Sequence, residues 1–368
     1  MSPTKLLLTG VTGYIGGTIL SHLLSSIKSG TIDPSLKDIE ISVLTRDDSR
    51  ATYFSSTLNL KVHTITSLDD TPAITAAAAQ NDIVIQCTSG YHGPSARALI
   101  RGLAQRRASQ VNHTGVYYIH TDGTSNLGDK PITRTHIEPR TFSDRDRDIY
   151  EYLVRRNATE HYPQRAVSIS VVDTGLEASV PTTTIMSPII YGLGTGHYNR
   201  LSIPYIIQMR SAIRDGYACY VGDGSGQHDY VHVLDLAVVY ELVLADFVSG
   251  RRKLPTGRDG IIFSESGNCT WREVAGHIAR AGSELGVCDA EPRSVSLQEA
   301  ASKWVGGDTQ LVEVGFVGNH RTRGEVARDV LGWRAGRGRE DWEGSFRVEM
   351  GEVVGEYRRG EVARVPGT

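Results

Sequence analysis

Three glycines spaced three apart, Gly10, Gly13 and Gly16, separate a short apolar run from an amphipathic helical pattern. The run is Leu6-Leu7-Leu8, and the pattern puts Ile15, Ile19, Leu20, Leu23 and Leu24 on one helical face. Glycines at a strand-to-helix turn, unlike glycines scattered by chance, build a loop on which a phosphate can lie. Gly10 permits a tight turn, Gly13 lets the backbone approach a pyrophosphate, and Gly16 lets the helix close on the strand. The helix start adds unpaired N–H groups and a partial positive charge. The stretch predicts a dinucleotide site in which Gly10, Thr12, Gly13, Tyr14, Ile15 and Gly16 meet the cofactor.

The N-terminal half repeats this alternation. Further strands are predicted over 39–44, 60–66, 82–87 and 116–120, with helices over 73–79 and from Pro94 to about Arg107. The order calls for an α/β fold with a doubly wound parallel sheet. Such sheets bind ligands at the carboxyl ends of their strands. Thr88 and Ser89 follow the fourth strand, and Thr121, Asp122 and Thr124 follow the fifth, so all five are candidates at that edge. Leu68, after the third strand, would border an adenine. Just past the second strand, a carboxylate would bind the ribose 2′-hydroxyl of NAD and an arginine the 2′-phosphate of NADP. Arg46 comes first there, with Arg50 behind it, which favours NADP; Asp47 keeps NAD open.

A sixth strand over 183–186 ends a cofactor domain of residues 1–187. Residues 188–368 are expected to form mainly a smaller substrate lobe, with segments returning to the sheet. The alternating run from Ser143 to Asp148 reads as a solvated face that caps a helix through Tyr150 and Leu153. Another helix is expected over 163–175, and Asp235 is expected to cap a helix after the Gly222-Asp223-Gly224 turn. From Gly336 the chain is rich in Arg, Gly and Glu and reads as a solvated helix or a partly disordered tail.

A net charge of −3 over 368 residues, with no dense basic run, argues against nucleic acid. Four scattered cysteines without a C-x-x-C suggest a reducing, cytoplasmic setting and no metal site. No stretch is apolar enough to cross a membrane, so the N-x-S/T triplets at Asn112, Asn157 and Asn268 read as chance. The expected partner is a small-molecule substrate, and a homodimer stays open.

The spacing G-x-x-G-x-x-G, in Gly10-Val11-Thr12-Gly13-Tyr14-Ile15-Gly16, resembles the short-chain dehydrogenase/reductase superfamily in its extended or atypical branch. Ser187-Pro188-Ile189-Ile190-Tyr191-Gly192 is similar to that branch's R-P-x-x-I-Y-G segment, with Ser187 for the arginine. The stretch from Gly222 to Ala237 and the Leu331-Gly332-Trp333 close are similar to two more of its signatures. The resemblance implies a Rossmann sheet, a nicotinamide cofactor touching Pro188, and catalysis by a tyrosine, a lysine four residues on, and a Ser/Thr after the fifth strand. None of the sixteen tyrosines has that lysine. Counting back from Ser187 puts the tyrosine at Tyr162 and the lysine at Ala166, with Arg165 adjacent as a substitute cation beside the cofactor. The hydroxyl position falls at Gly123 or Thr124. Tyr162, Thr124 and Asp122 are the candidate catalytic set; His120, Tyr191, His228 and Asp229 are weaker candidates in the same cleft.

The expected function is an NADP-dependent oxidoreductase acting on a carbonyl/alcohol pair. The missing lysine leaves two others standing: a non-redox isomerase, dehydratase or cyclase, and an NADP-sensing regulator resembling nitrogen-metabolite repressors.

Overall fold

The computed structural model describes residues 3–109 and 115–360. The chain alternates β1 (Lys5–Thr9), α1 (Tyr14–Ser29), β2 (Glu40–Thr45), α2 (Asp48–Thr52), β3 (Lys61–Thr64), α3 (Thr71–Ala78), β4 (Ile83–Gln86), α4 (Gly93–Ser109) and β5 (Tyr117–Gly123). All five strands pair in parallel. Leu6-Leu7-Leu8 and Ile83-Val84-Ile85 are fully buried, as strands covered by helices on both faces must be.

β6 (Phe142–Ser143) then leaves the sheet, and α5 (Ile149–Thr159) and α6 (Pro163–Glu177) lead to β7 (Thr182–Ser187), which pairs with β5. β8 (Ile189–Tyr191), α7 (Pro204–Asp215), β9 (Cys219–Val221) and β10 (Gln227–His232) begin a second lobe. The chain returns through α8 (Val233–Val248), which packs on α1, and β11 (Ile261–Phe263), which pairs with β7. The completed sheet has the order β11-β7-β5-β4-β1-β2-β3. There follow β12 (Gly267–Thr270), α9 (Trp271–Glu284), β13 (Arg293–Val295), α10 (Leu297–Trp304), α11 (Thr309–Phe316), β14 (Thr322–Arg323), α12 (Glu325–Asp329) and α13 (Arg339–Arg359). The second lobe has its own core, built on Tyr205, Trp271, Trp304, Trp342 and Phe346.

Four local expectations change. β5 runs on to Gly123, so Thr121 and Asp122 lie in the strand and not in an exit loop. The run from Ser143 is a solvated face only in part: Arg145 and Arg147 are exposed and Asp148 precedes α5, but β6 pairs with β14, and Ser143 and Asp144 are buried. The Asp144 carboxylate accepts the N–H groups of Phe263, Glu325 and Val326 at 2.8–3.1 Å, which explains a buried charge among charged neighbours. His232, not Asp235, caps α8: its Nδ1 accepts the Leu234 N–H at 3.1 Å, while Asp235 pairs with Arg337. The stretch after Gly336 is α13, whose Trp342, Phe346, Met350 and Val353 are buried at helical spacing. Asn112 and the residues after Gly360 lie outside the described residues.

Candidate functional site

β1 turns out of the sheet through Gly10 at φ +70°, where a Cβ would stand 2.2 Å from the Cys87 carbonyl oxygen. A Cβ on Gly16 would stand 2.5 Å from the Gly10 carbonyl oxygen. Only glycine fits at either place. Gly13, the N-cap of α1, offers no side-chain hydrogen bond, and the first turn holds no acid. The positive end of α1 is therefore open to an anion, and a pyrophosphate suits it. Ile15 packs half-buried against the core. Tyr14 differs from the expectation. It is buried, and its hydroxyl donates to the Gly192 carbonyl at 2.6 Å, so it ties the loop to the second lobe. The Thr12 carbonyl accepts the Asn199 N–H from that lobe at 3.3 Å.

Arg46 is exposed at the end of β2. The Asp47 carboxylate accepts the N–H groups of Ser49 and Arg50 at 2.9 and 3.2 Å and the Ser49 hydroxyl at 2.6 Å. It is committed to capping α2, and these bonds hold it below the usual carboxylate range. Leu68 packs half-buried against the α3–α4 side of the sheet. The Thr88 hydroxyl accepts from Gln86 at 2.8 Å, and the Ser89 hydroxyl accepts the Tyr91 N–H at 3.2 Å. Thr121 is buried, its hydroxyl held by Tyr240 at 2.6 Å and Cys87 at 3.1 Å, so it is not offered to a cofactor. Pro188 is buried between β7 and β8.

Tyr162 precedes Pro163 at the start of α6. Its hydroxyl lies 3.3 Å from Ser125 Oγ, 3.3 Å from the Tyr91 hydroxyl and 3.4 Å from Gln164 Oε1. The hydroxyl partner after β5 is thus Ser125; Thr124 is buried. Asp122 does not face a substrate either. Its carboxylate is buried and accepts Gln164 Nε2 at 2.6 Å, Asn126 Nδ2 at 2.8 Å, the Gly123 N–H at 2.8 Å and the Ser168 hydroxyl. Burial pushes the Asp122 carboxyl up to about 7, against the pull of the Gln164 amide and the other donors. Gln164 therefore links Asp122 to the Ser125–Tyr162 pair. It lies so close to the β5 exit that a Cβ on Gly123 would stand 2.8 Å from its Nε2.

Tyr162 is 3% exposed, and burial raises its phenol above the usual range; the Ser125 and Tyr91 bonds oppose that shift. Arg165 does not take the lysine's part. It is 1% exposed, its Nε and Nη1 donate to the carbonyls of Asn126 and Glu160 at 2.9 and 3.1 Å, and its guanidinium lies 5.5 Å from the Tyr162 ring centre. It braces the Ser125 turn rather than reaching a cofactor. Ala166 borders a cleft of about 270 Å³ together with Tyr91, Pro163 and Ser170. Ser125, Gln164 and Tyr91 were not legible as site residues. Ser125 is a one-residue offset that depends on where β5 ends, and Tyr91 meets Tyr162 only through the packing of α4 on α6.

The weaker candidates lie elsewhere. His120 is fully buried, bonded to Gln86 at 2.5 Å and pushed down to about 4 by desolvation. His228 stacks on Trp271 at 3.9 Å and meets Tyr205 and Cys269 inside the second core. The Asp229 carboxylate holds the Thr322 N–H and hydroxyl at 2.6 and 2.8 Å. Tyr191 is buried edge-on to His232. Among the described residues no group of three or more His, Cys, Asp or Glu side chains could hold a metal, the four cysteines are free, and no helix is long and apolar enough to cross a membrane.

No family model matches the sequence. The chain is similar to the oxidase ucsJ of an Acremonium species, 28% identical over 344 residues that span 90% of this chain and 92% of that protein. Solved structures share its architecture. The PbgP3 protein of Burkholderia pseudomallei superposes with a TM-score of 0.64 at 14% identity, covering 98% of this chain and 99% of that one. The dTDP-glucose 4,6-dehydratase DesIV of Streptomyces venezuelae, with NAD and TYD bound, gives 0.63 at 15% identity over 97% and 98%. The UDP-glucose 4-epimerase of Thermotoga maritima, with UDP-glucose, gives 0.60 at 14% identity over 98% and 100%. The chain therefore shares the fold of these dehydratase and epimerase structures.

Proposed function

We propose that the chain is an NADP-dependent oxidoreductase acting on the carbonyl/alcohol pair of a small molecule, with Tyr162 as its proton donor. The observation that carries this reading is the hydrogen bond of the Tyr162 phenol to Ser125 Oγ, at the same sheet edge as the open N-terminus of α1. The bound nicotinamide would supply or accept the hydride. Ser125 orients a substrate oxygen. Tyr162 delivers the proton to that oxygen, and its raised pKa keeps the phenol protonated at neutral pH. Such a phenol is an acid first, so the pair favours carbonyl reduction. Gln164, held by Asp122, fixes the pair from behind. Arg46, with the Asp47 carboxylate committed elsewhere, favours NADP over NAD.

The test is consumption of NADPH with a panel of aldehydes and ketones, beside titration calorimetry with both coenzymes in both redox states. Turnover that Tyr162→Phe abolishes, with NADPH affinity kept, supports the reading. Tight NADPH binding without turnover on any carbonyl overturns it. Ala166 in the lysine's place supports a second reading, a non-redox isomerase, dehydratase or cyclase; it requires substrate conversion with no net change in nicotinamide absorbance.

A further inference from the structure

We propose that a strap of the second lobe, residues 192–200, forms part of the site for a phosphate on the cofactor's adenosine ribose, with His197 as the contact it contributes. The inference rests on the dinucleotide reading above and adds to it a residue that lies far from β2 in sequence.

The strap leaves β8 through Gly192, at φ +86°. It is fixed to the phosphate loop at three points. The Tyr14 hydroxyl donates to the Gly192 carbonyl at 2.6 Å, and the Asn199 N–H donates to the Thr12 carbonyl at 3.3 Å. Gly196 crosses α1 at Gly17 so closely that a Cβ on Gly17 would stand 3.2 Å from the Gly196 Cα, and one on Gly196 would stand 2.9 Å from the Gly17 Cα. The strap also closes on itself: Gly194 donates its N–H to the Arg200 carbonyl at 2.9 Å, and Arg200 Nε donates back to the Gly194 carbonyl at 2.8 Å.

The tip of the strap meets the segment after β2. His197 stacks on Tyr53 with ring centres 3.9 Å apart and planes 13° apart. Tyr198 meets Tyr53 edge-on at 5.7 Å, and the Arg50 guanidinium lies 5.1 Å over the Tyr198 ring. His197, Arg46 and Arg50 are all exposed. One element thus touches both the loop suited to a pyrophosphate and the edge where an adenosine ribose arrives. A phosphate on that ribose would find the two arginines of the first domain and the imidazole N–H of the second lobe. Charge-assisted donors of this kind are what a phosphate binds most strongly.

The test uses the full chain and two nucleotides without a nicotinamide, adenosine 2′,5′-bisphosphate and ADP, by titration calorimetry. The wild type should bind the 2′,5′-bisphosphate more tightly than ADP by about tenfold or more. His197→Ala should lose most of that preference and leave ADP affinity within about twofold. His197→Phe keeps a ring on Tyr53 but no N–H, and should behave as the alanine variant does. Unchanged binding of the bisphosphate by both variants overturns the proposal, as does an equal loss for both nucleotides. Equal binding of the two nucleotides by the wild type overturns it while leaving the dinucleotide reading intact. Binding of neither nucleotide sinks both.

Discussion

At Tyr162 the chain departs most from the tyrosine–lysine pattern that its sequence resembles. A phenol paired with a serine but without a lysine loses the charge that would make it a base near neutral pH. Carbonyl reduction should therefore stay flat across neutral pH and fall only as the pH rises through the raised phenol pKa, whereas alcohol oxidation should climb over that same range. Rate–pH profiles in both directions check this; a reductive limb falling near pH 7 would show that another group sets the rate. Ser125→Ala should lower the reductive kcat by about a hundredfold and leave NADPH affinity unchanged. An equal loss in Thr124→Ala would return the role to Thr124. The place of Tyr162 at the start of α6 was legible because it is counted from a neighbouring strand. Asp122 was misread because its four donors include Gln164 and Ser168, more than forty residues further along the chain.

Among the elements, the glycine loop was legible and the pairing of Phe142 and Ser143 in β6 was not, for one physical reason. The loop's backbone demand is local: Gly10 needs positive φ, which follows from a tight strand-to-helix turn, and only its clearance from the Cys87 carbonyl depends on the distant exit of β4. β6 is defined by β14, some 180 residues later, and no local pattern announces that pairing. α13 was hidden in the same way, because the lobe that buries its apolar stripe is assembled from distant elements. The contrast between two positive-φ glycines makes this measurable. Gly30→Ala meets nothing within 4 Å and should cost only the backbone term, about 1 kcal/mol. Gly10→Ala adds a collision with backbone and should cost about 3 kcal/mol or more. Urea unfolding of both variants checks the difference, and equal midpoints would mean the loop can relax.

For the molecule as a whole, the two lobes are joined by more than the chain that connects them. Glu349 on α13 is fully buried, with the Gly192 amide and the Ser345 hydroxyl facing its carboxylate. Burial pushes its carboxyl up to about 7. A carboxyl raised above its ordinary value stabilises the fold fully below that ordinary value, and the contribution is lost as pH rises through 7. Glu349→Gln should remove this slope, so that its stability relative to wild type grows by roughly 2–3 kcal/mol between pH 5 and pH 8. Parallel pH–stability curves for the two proteins would show that the pocket is wetter than its packing implies.

The late strand β11 carries a different consequence. During synthesis β7 emerges long before Phe263, and until then it has a partner on one side only. A nascent chain halted between the two offers its open backbone to any neighbour, which favours edge-to-edge association. A fragment cut after Ser187 should clump where the intact polypeptide stays dispersed.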